Sequence, residues 1–291
     1  MDKIKKHIMY KPLTATPFKQ NNAYSEVAPT SPLQPYIRCF WGTERPYIQG
    51  EVNEEPELVI PDTCVDIIYN IDYTDNTVTG GFCGVNDSSF CAGSGRKVGH
   101  LVATFAIRFY AWSAYVFAED SLKDTVNGYF EVGERFEWLD TLIRLNLLEM
   151  KTLEEKISFV EQLFLDRFLK IRENAIVNTA VNTILAYKGT MDISDLAKET
   201  FVSSRQLERL FHEYVGIAPK KLSNLVRYQF LWRDILLQRD FTVLDAVHKY
   251  RYTDQPHLLR EFKRYHSMDI HKAREFAFSD VGNIQETHIG L

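Results

Sequence analysis

The chain has 291 residues, 45% of them hydrophobic and 25% charged, a size and composition that suggest two globular domains with real hydrophobic cores. No apolar run is long enough to cross a bilayer and no secretory signal follows the N-terminus, so we expect a cytoplasmic protein without membrane contacts. The net charge of −5 is uneven: residues 188–278 hold 16 Lys and Arg against 12 Asp and Glu, and the remainder holds 18 against 27.

The first half of the sequence is typical of a β-rich domain. Residues 1–30 are polar and interrupted by prolines, which predicts an irregular lead-in. Beyond them, short runs of β-branched and aromatic residues are separated by Pro, Gly, Asn and Asp, a pattern that predicts the strands of a sandwich or barrel-like fold. In the last run, alternation places Arg108 on an otherwise uncharged face. The runs are Tyr36–Trp41, Glu57–Ile60, Val65–Tyr69, Thr77–Thr79 and Leu101–Phe109.

The middle of the chain predicts helices. Thr152 and Glu155 form a capping-box pattern that opens an amphipathic helix. Its apolar residues recur at steps of three and four, and we interpret this face as packing on its own β-domain, with a dimer surface as the alternative. These residues are Leu153, Ile157, Val160, Phe164, Phe168 and Ile171. With another helix predicted over residues 176–187, we place the domain boundary near Glu173, between domains 1–173 and 174–291.

The stretch from Asp192 to Arg274 contains the same two-helix sequence pattern twice. The first copy contains Asp192, Asp195, Leu196, Ala197, Ser203, Leu207, Arg209, Phe211 and Gly216. The second, displaced by 50 and then 51 positions, contains Thr242, Asp245, Ala246, Val247, Asp254, Leu258, Arg260, Phe262 and Ser267. Solenoids usually need three or more repeats, so two copies favour a pair of DNA-reading modules. A helical module that binds proteins without specific DNA binding is the alternative.

Each copy predicts a helix-turn-helix unit. The first spans about 192–214, with Asp192 and Ser203 as caps, and the second spans about 242–265, with Thr242 and Asp254 as caps. Between them a long helix of about 219–238 begins at Pro219. Such a rigid spacer suits two recognition helices that enter successive major grooves on one face of B-DNA, roughly 34 Å apart.

Polar side chains on these helices are the candidate DNA contacts. Side-chain chemistry assigns to base edges Arg205, Gln206, Glu208 and Arg209 in the first unit, and Gln255, His257 and Arg260 in the second. Cations assigned to phosphates are Lys220, Lys221, Arg233, Lys263 and Arg264. For Arg209 and Arg260 the alternative is an ion pair within the domain, with Glu213 or Glu261.

At these residues the chain resembles the AraC/XylS family of bacterial transcription regulators. The matching segments are Asp195-Leu-Ala, Ser203-x-Arg-Gln-Leu-x-Arg-x-Phe211, Gly216-Ile-Ala-Pro219 and Tyr252-Thr-Asp-Gln-Pro-His-Leu-Leu-Arg-Glu-Phe-Lys-Arg264. The second copy departs from the family at Arg251 and Ser267, where glycine is usual, and at Ile270, where proline is usual. The resemblance implies binding to double-stranded operator DNA, RNA polymerase as a partner if the protein activates, and a homodimer through a helix after the sensor domain.

The front half resembles the N-terminal domain of one branch of the same family. The matching segments are Tyr36-Ile-Arg-Cys-Phe-Trp-Gly42, Leu58-Val-Ile-Pro-Asp-Thr-Cys-Val-Asp66 and Phe105-Ala-Ile-Arg-Phe109. The resemblance implies a sensor domain for a small-molecule effector. The pocket residues we predict are Trp41, Asp62, Asp66, Arg108 and Trp112, because ligand sites combine apolar walls with a few polar groups. The alternative is that the rings are core and the charges surface.

The sequence does not indicate an enzyme. Cys39, Cys64, Cys83 and Cys91 lack zinc-site spacing, and we interpret them as buried reduced thiols, with a thiol-based redox-sensing regulator as the alternative. Only two histidines, at positions 7 and 100, precede residue 188, too few for a three-histidine metal site. We therefore expect no catalytic residues, no metal and no cofactor.

Overall fold

A computed structural model of the chain describes residues 10–18, 25–50, 57–93, 97–168 and 171–279. The N-terminal part is rich in strands and the C-terminal part is helical, which confirms the predicted α+β division. The strands in these ranges are β1 (Ser25–Val27), β2 (Ile37–Gly42), β3 (Tyr47–Ile48), β4 (Glu57–Val59), β5 (Cys64–Asp72), β6 (Thr77–Cys83), β7 (Phe90–Ala92), β8 (Leu101–Tyr110) and β9 (Tyr129–Glu131).

Seven of these strands form one antiparallel sheet. Its order is β1-β2-β8-β5-β6-β9, and β3 pairs with the first residues of β8. Strands β4 and β7 form a separate two-stranded sheet. The barrel-like description is therefore corrected to open sheets: β1 and β9 are three residues long and, among the described residues, each pairs with one neighbour.

Side chains of the central strand β8 alternate between two faces of the sheet, one apolar and one that carries Arg108, which we call the polar side. Phe105, Ile107 and Phe109 are fully buried, because alternate side chains of a strand point to the same side. On the opposite side, Arg108 lies directly between Cys39 of β2 and Asp66 of β5 in the strand register. The arginine noted in the sequence is thus at the middle of the sheet, flanked on both sides by paired strands.

The helices of the described chain begin after the last strand. They are α1 (Gly133–Asn146), α2 (Leu153–Arg167), α3 (Ala175–Ala186), α4 (Ile193–Glu199), α5 (Ser204–Tyr214), α6 (Pro219–Leu237), α7 (Val243–Lys249), α8 (Gln255–His266) and α9 (Ile270–Phe278). Helix α3 contacts α4, α5 and α6, so it packs with the C-terminal half. Within the described ranges, no helix has both the length and the apolar character needed to cross a membrane.

Helix α2 starts at the predicted capping box. The Thr152 hydroxyl accepts a hydrogen bond from the Glu155 amide at 3.2 Å, and the Glu155 carboxylate accepts one from the Thr152 amide at 2.9 Å. Its apolar face, which includes Ile157, Val160 and Phe164, is buried in its own domain. That face is therefore used within the chain, as our first interpretation has it, and a dimer would need another surface.

Two segments predicted to be irregular contribute to the core. In the lead-in, Tyr10, Leu13 and Ala15 are buried and residues 25–27 form β1; residues 1–9 and 19–24 lie outside the described ranges. Near the C-terminus, the weak pattern beyond Arg274 predicts a frayed tail, yet α9 continues to Phe278, and residues 280–291 lie outside the described ranges. This helix packs through Ala273 and Ala277, whose small side chains give a weak apolar signal.

Candidate nucleic-acid interface

Helices α5 and α8, the predicted recognition helices, start at side-chain caps. The Ser203 hydroxyl accepts a hydrogen bond from the Gln206 amide at 3.2 Å, and the Asp254 carboxylate accepts one from the His257 amide at 2.7 Å. Thr242 caps α7 in the same way. Asp192 is at the N-cap of α4, but its carboxylate makes no cap hydrogen bond, which corrects that prediction. Packing of Leu196 and Ala197 stabilises that helix instead.

The two recognition helices bury matching residues. Leu207 and Phe211 of α5 and Leu258 and Phe262 of α8 are at most 1% exposed, as the repeat predicts. The side chains assigned to base edges lie on the outer faces. Those that are exposed are Arg205, Gln206, Glu208, Arg209, Gln255 and Arg260, and His257 is half-buried, with its ring 5.3 Å from that of Tyr252.

The turns of the two units share a backbone conformation although their residues differ. Phe201 and Arg251 occupy equivalent positions before α5 and α8, with φ of 56° and 52°. After the helices, Gly216 has φ of 82° and Ser267 has φ of 61°. This left-handed conformation favours glycine, so the second unit keeps the geometry after its recognition helix with a serine that suits it less well, while neither unit has glycine before that helix.

The ion-pair alternative for the two recognition arginines has different outcomes in the two units. Arg209 is 3.9 Å from Glu213, but its side chain is 70% exposed, and such a pair contributes little. The Glu261 carboxylate does not pair with Arg260, because it accepts hydrogen bonds from Arg227 at 2.8 Å and from Tyr252 at 2.7 Å. Arg260 thus points outward, on the face assigned to DNA.

The buried pair of Arg227 and Glu261 is a feature that the sequence analysis missed. It joins α6 to α8, and the Arg227 guanidinium also lies 4.2 Å from the centre of the Tyr252 ring. Both side chains are nearly buried, with exposures of 9% and 12%. No local sequence pattern pointed to this pair, because its two members are 34 positions apart.

The five cations assigned to phosphates have unequal surroundings. Lys220, Lys263 and Arg264 are exposed, and Arg233 is half-buried. The Lys221 ammonium instead forms an ion pair with Asp87 of the N-terminal domain, with 2.5 Å between Nζ and Oδ2. One of the five cations assigned to phosphates, Lys221, is therefore paired with a carboxylate of the other domain.

Four of the five predicted pocket residues lie together on the polar side of the main sheet. Arg108 donates to both carboxylate oxygens of Asp66, at 2.9 and 3.2 Å, and is 3.5 Å from Asp62. The Trp41 indole donates to Asp66 at 2.8 Å. Burial raises the pKa of the Asp62 carboxyl above its ordinary value, while the Arg108 guanidinium opposes that rise. These four residues form what we term the polar cluster.

Trp112, the fifth predicted pocket residue, lies in an aromatic group. Its ring stacks on Tyr110 at 5.2 Å and is 5.8 Å from the ring of Tyr10, which in turn is 5.4 Å from Phe230 of α6. Because Phe230 belongs to the helix that joins the two helix-turn-helix units, Trp112 lies where the N-terminal domain meets that helix. For this residue the core alternative fits.

The cysteine environments disfavour thiolate chemistry at three of the four positions. Burial raises the pKa of Cys39 and Cys83 to about 12 and raises that of Cys64 well above its ordinary value. Cys91 is exposed and Cys83 is half-buried, which corrects the expectation that all four thiols are buried. The correction is largest at Cys91. Its exposure follows from its place in β7, a three-residue strand of the small sheet whose side chains are all exposed.

His100 lies near two carboxylates in the N-terminal domain. Its Nδ1 is 2.8 Å from Asp72 and 3.8 Å from Asp75, and Lys97 pairs with Asp75 at 2.7 Å. Among the described residues, Asp72, Asp75 and His100 form a group of three possible metal ligands, with one potential ligand atom from each lying within 4.8 Å of the others. A hydrogen bond between His100 and Asp72 and an ion pair between Lys97 and Asp75 account for the two carboxylates. The other early histidine, at position 7, is outside the described residues.

Two capped helix-turn-helix units, joined by one long helix and each with an exposed polar face, define a double helix-turn-helix DNA-binding domain. Residues 196–275 match the family described as "Helix-turn-helix domain", and residues 25–131 match a domain family of unknown function, DUF6597. The C-terminal domain is an AraC-type helix-turn-helix domain, which confirms the resemblance seen in that part of the sequence and supports a DNA-binding transcription regulator. A comparison with curated proteins gives no match.

Several solved structures are similar to the chain. A transcriptional regulator of Chromobacterium violaceum with an AraC-type DNA-binding domain is 23% identical, with 35% of this chain and 92% of that chain covered and a TM-score of 0.33. ToxT of Vibrio cholerae bound to an unsaturated fatty acid is 10% identical, with 81% and 95% covered and a TM-score of 0.39. Both TM-scores are too low for ligand or DNA contacts of these proteins to be transferred to this chain.

Proposed function

We propose that this chain is a sequence-specific transcription regulator that inserts α5 and α8 into successive major grooves of operator DNA. The observation that carries the proposal is the repeated arrangement: equivalent caps, equivalent buried leucine and phenylalanine residues, and outward polar faces on two helices joined by α6. Arginine and glutamine on those faces suit guanine and adenine edges. The proposed division into domains 1–173 and 174–291 places this whole arrangement in the second domain.

The test is selection of bound sequences from a random duplex library with the full-length protein, at two salt concentrations. A two-part motif with half-sites about 10 base pairs apart is the expected result, because that spacing is one helical turn of DNA. Binding without an enriched motif, lost at moderate salt, would contradict the proposal. It would favour the second candidate, a helical module for protein partners, for which the exposed Phe201 and Leu244 offer apolar contacts.

Replacement of Arg205 by alanine tests the reading role of α5. We expect relaxed preference at one base position, equivalent to about 1–3 kcal/mol of lost discrimination, because a bidentate arginine distinguishes guanine from other bases. The matched control is Lys263→Ala, which should weaken all sequences equally and lower the salt slope by about 1. Equal loss on every sequence for Arg205→Ala would make this residue a phosphate contact instead.

We also propose that the N-terminal domain receives a small-molecule signal at the polar cluster. The support is a direct connection to the DNA-binding half: the carbonyl of Pro61, next to Asp62, accepts a hydrogen bond from Gln229 of α6 at 2.6 Å. A change at Asp62 would therefore reach the helix that spaces the recognition helices. The test is a screen of small molecules for binding to the full-length protein, followed by DNA titrations. Binders that leave DNA affinity unchanged would contradict this proposal.

Partners beyond DNA remain part of the same proposal. RNA polymerase is the expected partner if the protein activates transcription, and a homodimer would double the number of bound half-sites. Because the apolar face of α2 is buried in its own domain, a dimer would have to use another surface. Sedimentation of the full-length protein with and without the selected duplex distinguishes a monomer from a dimer.

A further inference from the structure

The contact between Asp87 and Lys221 places an N-terminal carboxylate on a cation assigned to DNA. Asp87 lies in the segment between β6 and β7, and its position is fixed within its own domain by Asn127. The Asn127 side-chain amide donates to the Asp87 carboxylate at 2.7 Å, and the Asp87 amide donates to the Asn127 side-chain oxygen at 2.9 Å. The other carboxylate oxygen accepts the hydrogen bond from Lys221. The N-terminal domain therefore presents this carboxylate to α6 in a defined position.

The same segment also reaches the second helix-turn-helix unit. The Ser89 hydroxyl is 2.5 Å from the hydroxyl of Ser267, which follows α8 directly. Burial alone would raise the pKa of Asp87, but hydrogen bonds from Lys221 and Asn127, with the charge of nearby Arg264, lower it below its ordinary value. Asp87 is thus an anion close to two cations assigned to phosphates, Lys221 in α6 and Arg264 in the recognition helix α8.

A DNA phosphate and a carboxylate bind these cations through the same kind of interaction. Each is an anionic oxygen acceptor for a charge-assisted hydrogen bond. The lysine ammonium has three N–H donors, but a phosphate brought to Lys221 would lie beside the Asp87 carboxylate, and the two anions repel each other. The Lys221 side chain is 36% exposed, so solvent and an incoming backbone can reach it. The ion pair between the domains and a contact from Lys221 to DNA are therefore alternatives.

We propose that Asp87 occupies the position of a DNA phosphate at Lys221, so that docking of the N-terminal domain in this arrangement competes with the DNA backbone. The inference rests on the proposed DNA-binding function. It makes the 87–89 segment an autoinhibitory contact, and it predicts that any signal which moves this segment raises the affinity for DNA of every sequence. Recognition of bases by α5 and α8 is unchanged by the contact.

The test compares full-length wild type with Asp87→Asn on a mixed-sequence duplex of about 30 base pairs, roughly three helical turns. Asparagine keeps the size of the side chain and removes its charge. We expect binding to tighten about two- to fivefold, the range of a partly exposed ion pair, and the salt slope to steepen by about 0.9 for one added phosphate contact. Adding Lys221→Gln should abolish both changes.

The matched control is Asp75→Asn, which makes the same charge change in the same domain beside the exposed Lys97. If Asp75→Asn increases the affinity for the duplex as much as Asp87→Asn does, the inference is overturned. It is also overturned if Asp87→Asn binds the duplex no more tightly than wild type. Binding by wild type alone, with an enriched motif, would leave the proposed function intact while overturning the inference. Absence of binding by wild type and every variant, together with no enriched motif in the selection, would overturn both.

Discussion

His266 is a neutral histidine in the core of the second helix-turn-helix unit. It is 0% exposed, its ring stacks on Phe262 at 5.0 Å and approaches Trp232 at 4.4 Å, and its Nδ1 is 2.8 Å from the Tyr228 hydroxyl. Among the described residues its Nε2 has no hydrogen-bond partner. Burial therefore lowers the pKa of His266 to about 4. A charge at this position would have no compensating group.

This pKa predicts an acid-sensitive domain. The unfolded chain takes up a proton near pH 6.5, whereas the folded chain does so near pH 4, so stability is complete above about 6.5 and falls as the pH drops toward about 4. Because of His266, the free energy of unfolding should fall by about 2 kcal/mol between pH 7.5 and pH 5. Urea unfolding of wild type and His266→Phe at both pH values measures it.

The expected result is that His266→Phe loses about 2 kcal/mol less than wild type over this interval, because its side chain cannot be protonated. The control is His271→Gln on α9, where the histidine side chain is 87% exposed and the pH dependence should match wild type. Parallel curves for wild type and His266→Phe would contradict the prediction, because they would show that folding does not change the pKa of His266.

At the level of elements, α3 and α6 approach each other closely at a glycine. Gly189 follows α3 with φ of 71°, and its amide donates to the Ile184 carbonyl at 2.8 Å. A Cβ added there would overlap the carbonyl oxygen of Ser223 and come within 2.8 Å of the Arg227 amide. Both are backbone atoms of α6, so a side chain would have to move one helix away from the other.

Gly189→Ala is predicted to destabilise the protein by about 2–4 kcal/mol, the sum of a left-handed backbone penalty and of overpacking. Gly99→Ala separates the two contributions: its φ is 85°, but the space around its Cβ is open, so about 1–2 kcal/mol is expected. Urea unfolding of both variants supplies the comparison. Equal losses would mean that backbone conformation alone matters and that α3 and α6 tolerate the methyl group.

At the scale of the whole molecule, α6 is held by the N-terminal domain as well as by its own. The buried Gln229 side chain accepts from the Leu13 amide at 2.7 Å and donates to the carbonyls of Leu13 and Pro61 at 3.2 and 2.6 Å. Nearby, the Trp232 indole donates to the Thr14 carbonyl at 3.0 Å. Helix α6 is therefore also one of the contact surfaces between the domains.

Gln229→Leu should destabilise this junction by about 2–4 kcal/mol, because it leaves the Leu13 amide and the Pro61 carbonyl buried without partners. Hydrogen exchange of the Leu13 amide is the direct measurement, and its protection should fall. Gln238→Leu, at the exposed C-cap of the same helix, is the control and should leave the protection unchanged. Unaltered protection in Gln229→Leu would show that the junction does not depend on this side chain.

The sequence by itself determined the features that depend on neighbours along the chain. The caps at Ser203, Thr242 and Asp254, the capping box at Thr152 and the period of the recognition helices all involve residues three or four positions apart. Because the two copies repeat the same local pattern, the double helix-turn-helix domain and the outward placement of Arg205 and Arg260 followed without tertiary information. The strand alternation that singles out Arg108 is local in the same sense.

Only the tertiary structure decided contacts between residues distant in sequence. The ion pair of Asp87 with Lys221, that of Arg227 with Glu261 and the anchoring of Gln229 to residue 13 join positions 134, 34 and 216 apart, and no periodicity encodes them. They arise from the shape complementarity of packed elements and from the need to pair buried polar groups. For the same reason the buried lead-in, the α9 helix and the open sheet could not be read from local pattern.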